Sequence, residues 1–186
     1  FCIVFVGVPS TKGYAAVEFV KDGEGNLVGN DEKEFYYKVP AGNEDSGECT
    51  LYVYGGNETD IVLPKTCGAY KVTTVGEDFS SMIEYLGNEK KSLTTVRIPF
   101  GYKVIEAEKK TNSEGKKVII GAFQNQTELY RIEIPSSVTS IGKYAFEGCD
   151  KSKLTIVTPK GSRAEKYAKK YGYKYKRGYG YGGYGY

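Results

Sequence analysis

The chain of 186 residues contains no histidine. That removes the usual general base near neutral pH and the commonest metal ligand. Ser-His-Asp and Cys-His catalysis are excluded within the chain, as are zinc sites that use histidine. Tryptophan is absent as well, so any stacking on sugars falls to tyrosine. The four cysteines, Cys2, Cys49, Cys67 and Cys149, stand at spacings that suggest no metal site. Asp45 with Glu48, and Glu77 with Asp78, are near only in sequence, and nothing sets two carboxylates across a cleft as glycoside hydrolysis needs. Apolar runs are too short to span a bilayer. The expectation is a chain with no enzymatic activity, no cofactor, no metal and no transmembrane anchor.

Charge is unevenly spread. Lys160 to Arg177 holds eight basic residues and one acid, Glu165, a charge of +7 within a net charge of +3. The remainder therefore carries −4, and an anionic partner would meet the C-terminal end. The first residues, FCIVFVGVPSTKGYAA, fit the back half of a secretory signal peptide: an apolar stretch, Pro9, then small residues at Gly13, Ala15 and Ala16. Its charged leading region would be missing, so the chain is expected to be a fragment of a longer reading frame. The competing reading is a buried N-terminal strand. Export would remove Cys2 and leave three cysteines, an odd number that argues against a disulfide framework. A Cys49–Cys67 bond stays open, conditional on their strands pairing. Cys149 reads as a small buried hydrophobe.

A repeat organises the middle of the chain. Ile98-Pro99 and Ile134-Pro135 lie 36 residues apart, as do Ile105 and Ile141, whereas Gly121-Ala122-Phe123 and Tyr144-Ala145-Phe146 lie 23 apart. The spacings reconcile if 13 residues are inserted between Ile105 and Phe123, and the polar run EKKTNSEGKK suits a surface insertion. DIVLPKTCGAYKVTTVGEDFSSM repeats the same order upstream, and LTIVTPKGS begins a fourth unit. The period of about 23 residues lies within the range of leucine-rich repeats. Aligned on the prolines, Ile61, Val96, Ile132 and Ile156, with Leu63, Ile98, Ile134 and Thr158, fall on the inner side of short strands. Val62, Arg97, Glu133 and Val157 fall outside. Proline ends each strand because it has no N–H for a ladder. Val138, Ile141 and Phe146 return to the same core, and Gly142 is expected to supply a backbone angle that other residues resist. Ser162 and Glu165 form a capping box for a helix, RAEKYAKKY, which Gly172 closes. Ala164, Tyr167, Ala168 and Tyr171 mark its apolar face. EFYYKVP and CTLYVYGG read as strands covering the other end.

These residues resemble a known family. IEIPSSVTSIGKYAFEGC, followed by Leu154 and VTPKGSRAEKYAKKYGYKY, resembles the BspA-like leucine-rich repeats, whose unit runs Ile-Pro, a Ser/Thr turn, Val-Thr-Ser-Ile-Gly, Ala-Phe and Cys. TLYVYGGNETDIVLPKTCGAYKVTTVG resembles the longer first repeat of such arrays. The likeness spans about Cys49 to Lys176. It implies a secreted or surface-attached protein of gut or oral bacteria or of protozoa, non-catalytic repeats, and adhesion to host proteins or other cells. The chain departs from the family in being very short.

The expected fold class is an α/β-type repeat solenoid: a short BspA-like leucine-rich repeat stack with a β-rich N-cap and a C-terminal capping helix. Residues 1–16 are the signal-peptide remnant, 17–60 the N-terminal cap, 61–172 the solenoid with its helix, and 173–186 a disordered basic tail rich in glycine and tyrosine. Two candidate contact regions follow. Thr95, Arg97, Arg131, Glu133 and Thr155 share the solvent face of neighbouring strands. They are either part of a ligand surface or, for Arg97 and Glu133, a plain cross-strand pair worth about 0.2–1 kcal/mol. In the tail, Lys174, Lys176 and Arg177 could meet an anionic wall polymer while Tyr179, Tyr181, Tyr184 and Tyr186 stack on sugars; the alternative is an unselected solvated end. The expected partner is an extracellular protein or glycan. Nucleic acid, which the tail chemistry also suits, is set aside by export. The rival to a binding module is a structural wall protein or spacer held by the tail.

Overall fold

Pro64, Pro99, Pro135 and Pro159 each follow a strand of three or four residues, and these four strands line up side by side. The computed structural model describes residues 17–81 and 92–178. The candidate signal segment with Cys2, and Tyr179, Tyr181, Tyr184 and Tyr186, lie outside the described residues. In chain order, β1 (Val20–Lys21), β2 (Leu27–Asn30), β3 (Phe35–Val39) and β4 (Glu48–Tyr54) form an antiparallel meander. The first unit gives β5 (Asp60–Val62), β6 (Thr66–Cys67) and β7 (Tyr70–Val75), and the second gives β8 (Thr95–Arg97) and β9 (Val104–Ile105). The polar insertion is a hairpin of β10 (Ala107–Thr111) and β11 (Lys117–Gly121). The third unit gives β12 (Arg131–Glu133) and β13 (Ser140–Ile141). The fourth gives β14 (Thr155–Thr158) and helix α1 (Arg163–Tyr171), and β15 (Lys174–Arg177) follows.

The chain alternates between two sheets. One is five-stranded and parallel throughout, in the order β15-β14-β12-β8-β5. The other runs β1-β2-β3-β4-β7-β9-β13, antiparallel from β1 to β4 and parallel from there on, with β6 paired to β7. The core lies between them. Ile61, Val96, Ile132 and Ile156 stand in one register row and are all buried, as are Leu63, Ile98 and Ile134 two residues on. Thr158, the polar member of that second set, is buried because its hydroxyl donates to Ile134 O at 2.8 Å and meets Ser162 Oγ at 2.8 Å.

Aromatic rings run through the core from end to end. Phe35 meets Tyr54 at 4.9 Å between centroids, Tyr54 meets Phe79 at 6.1 Å, Phe79 meets Phe123 at 5.4 Å, and Phe123 meets Phe146 at 5.3 Å. Phe146 then meets Tyr167 of α1 at 5.8 Å and Tyr173 at 6.0 Å. The meander, each of the first three units and the helix contribute to one spine. Such pairs are worth about 0.5–1.5 kcal/mol each beyond their area.

Three expectations change in detail. Gly142 has no left-handed backbone angle. A Cβ there would stand 2.6 Å from Ala107 N and 2.7 Å from Ala107 Cβ, so glycine is required by close approach of the neighbouring unit. In the capping box, Ser162 Oγ accepts from Glu165 N at 3.0 Å, but the glutamate reaches back to Gly161 N, one residue before the cap. The chain also keeps its order past residue 173. Tyr173 is buried, with its hydroxyl donating to Phe146 O at 2.8 Å, and Lys174–Arg177 pairs with β14 along its whole length. A segment too polar for a core of its own is ordered here by an existing ladder edge. Cys49, Cys67 and Cys149 are buried free thiols. The Cys149 thiol lies 3.0 Å from Phe123 O, and burial pushes its pKa up to about 12.

Candidate functional site: the outer face of the five-stranded sheet

The register of the parallel sheet fixes two outward rows. One is Asp60, Thr95, Arg131, Thr155 and Lys174; the other is Val62, Arg97, Glu133, Val157 and Lys176. Residues four and two before each proline point away from the core because strand side chains alternate. Thr95, Arg97, Arg131, Glu133 and Thr155 thus lie on three adjacent strands, on one face. The alignment that found them also holds Asp60 and Val62, which complete the face on β5. Lys174 and Lys176, read as tail, belong to the same rows; β15 ends in no proline and escapes that alignment.

Glu133 is the centre of the face. Its Oε2 accepts from Arg97 Nε at 3.1 Å, and its Oε1 accepts from Arg131 Nε at 3.2 Å and Nη2 at 2.9 Å. Burial by itself would raise this carboxyl's pKa, but the hydrogen bonds from Arg131 and then Arg97 outweigh it and hold it below the ordinary glutamate value. The Thr95 hydroxyl donates to the Asp60 carboxylate. Asp60, Val62, Thr95, Val96, Arg97, Arg131 and Glu133 line a depression of about 280 Å³, just below the roughly 300–1,000 Å³ of small-molecule sites. Val62 is 55 % exposed at its end, whereas Val157 at the other is buried. Two acids and four bases give the rows a formal charge of +2. The surface is broad, shallow and cationic, with its central side chains already fixed. Such a surface can make charge-assisted hydrogen bonds to an extended anionic partner.

Arg177 faces differently. Its Nε and Nη2 bond Glu165 Oε1 at 3.1 and 2.8 Å, which ties β15 to α1. Among the described residues no helix is long and apolar enough to cross a membrane.

Parallel strands recur once per unit, and each unit returns its second apolar cluster to a shared core, an arrangement similar to that of leucine-rich repeats. Residues 109–168 match the family model described as BspA type leucine rich repeat region (6 copies). The match begins inside the β10–β11 hairpin and ends within α1. No curated protein and no solved structure matches the chain.

Proposed function

We propose that the protein is a short, exported leucine-rich repeat solenoid that binds an extracellular protein or glycan, without catalysis, through the outer face of its five-stranded sheet. The observation that carries the reading is the Arg97–Glu133–Arg131 cluster. One carboxylate orients two guanidiniums on a rigid, open face, so an incoming anion meets donors already in place. The excess of positive charge on that face selects acidic protein patches or sulfated and carboxylated glycans over neutral ones. Residues 17–60 act as the cap of the first unit and α1 as the cap of the last. The family supports a surface or secreted location, since its members are typically found there.

The test is binding of the purified chain to arrayed sulfated, carboxylated and neutral glycans and to acidic extracellular proteins, near physiological salt. Arg97→Gln and Arg131→Gln should each weaken binding to the anionic probes by about tenfold or more while costing the fold no more than about 1 kcal/mol, because each arginine is more than two-fifths exposed and the other still pairs with Glu133. Anionic binding that survives both substitutions would place the ligand elsewhere. No binding to any probe would favour the spacer role.

A further inference from the structure

Among the described residues the five-stranded sheet ends in two unpaired edges, and the edges complement each other. Every junction inside the sheet follows one rule: the earlier strand offers backbone groups of its inward residues and the later strand those of its outward residues. Leu63 N–H bonds Arg97 O, Ile98 N–H bonds Glu133 O, Ile134 N–H bonds Val157 O, and Gly178 N–H bonds Thr158 O. Among the described residues β5 pairs only with β8 and β15 only with β14. The rule therefore leaves two sets of groups facing outward, those of Asp60 and Val62 on β5 and those of Tyr175 and Arg177 on β15. These are the two halves of one more junction of the same kind.

Side chains and charge agree with the backbone. Beside β5 an open groove of about 420 Å³ runs along Glu32–Phe35. Its buried lining includes Phe35, Tyr54 and Ile61, and its exposed lining includes Glu32, Glu34, Glu58 and Asp60. None of these four carboxylates stands within ion-pair distance of a cation among the described residues. At the other end, all four residues of β15 are exposed. Tyr175 shares the register row of Ile156 and Ile132 yet is 39 % exposed, with no strand beyond it among the described residues. Lys174 and Lys176 have no carboxylate partner among the described residues. Extending the sheet in register would set Tyr175 beside Ile61, over the aromatic lining of the groove, and Lys174 beside Asp60.

We propose that two copies of this chain join head to tail, β15 of one copy entering the groove and adding in parallel to β5 of the next. The contact uses different surfaces on the two copies. It therefore is not satisfied within a dimer and continues from copy to copy, as a ring where the rotation closes and as a filament where it does not.

Sedimentation of the full chain without ligand tests this independently of the face's ligand. The average mass should rise across a hundredfold range of concentration and fall as salt is added. Val62→Pro and Tyr175→Pro each remove one outward N–H and no bond of the existing sheet, so each should abolish self-association. An equimolar mixture of the two variants keeps one intact edge of each kind, and it should form dimers and nothing larger. Lys174→Glu with Lys176→Glu, on exposed side chains, should weaken association about tenfold or more without relying on a backbone change. A chain that stays monomeric throughout overturns the proposal, as does association unaffected by either proline. So does stronger association when the two lysines are replaced, since that would show that they guard the edge.

Discussion

Asp22, Asp31 and Asn112 each open the same kind of turn. In each, the Oδ1 atom accepts backbone N–H groups two and four residues on: Glu24 and Asn26, Lys33 and Phe35, Glu114 and Lys116, all at 2.9–3.1 Å. The fourth residue must take a left-handed angle. Gly25 and Gly115 do so at φ 85° and 76°, but the middle turn uses Glu34 at φ 60°. A side chain in that region costs about 1–2 kcal/mol, part of which a glycine returns as freedom in the unfolded chain, about 0.4–1 kcal/mol. Glu34→Gly should therefore stabilise the fold by about 0.5 kcal/mol, and Gly115→Ala should destabilise it by about 1 kcal/mol, both read from urea unfolding. A loss of stability in Glu34→Gly would mean that the side chain supplies more than its strain removes.

At the scale of the element, helix α1 shows what a short segment can announce of itself and what it cannot. Its start, its stop and its apolar face follow from Ser162, Glu165, Gly172 and the spacing of Ala164, Tyr167, Ala168 and Tyr171, because caps and periodicity are local. The outer rows of the sheet are legible for a similar reason: proline fixes the register of β5, β8, β12 and β14. β15 is not legible, since its only qualification is an open edge beside it, which is a property of β14. The role of Gly142 is hidden likewise, because the atom it must avoid belongs to Ala107. The partners of Glu165 mix both kinds. Lys169 lies one turn on, the Gly161 N–H just before the helix, and Arg177 comes from β15; together they hold the carboxyl at about 2, well below its ordinary value near 4.5. Because the folded value is the lower one, the stabilisation is complete above the ordinary carboxylate range and is lost as pH falls toward 2. Glu165→Gln should be less stable than the parent at pH 7, and the gap should narrow steadily between pH 4.5 and 2 in urea unfolding at a series of pH values. A gap that does not change with pH would assign the residue's contribution to packing and capping instead of charge.

Across the whole molecule the aromatic spine decides how far a local defect spreads. Stacked repeats touch only their neighbours, so a stack can lose its end while the rest stands. Here the meander, the units and α1 are joined by rings in contact from Phe35 to Tyr173, and Phe123 sits in the middle, fully buried between Phe79 and Phe146. Phe123→Ala removes both central contacts and leaves a cavity, a loss of about 3–5 kcal/mol. That is a large share of the roughly 5–15 kcal/mol available to a domain. Phe35→Ala makes a defect of the same chemistry at the end, where only β3 and its neighbours depend on it. Hydrogen exchange should separate the two. Phe123→Ala should lower protection in β4 and β7 as well as in β12 and β14, because each side loses the surface it packs on. Phe35→Ala should lower protection in β1 to β4 and leave β12 and β14 as in the parent. If Phe123→Ala loosened only the unit that carries it, the spine would be a row of separate contacts and the molecule would unfold in pieces.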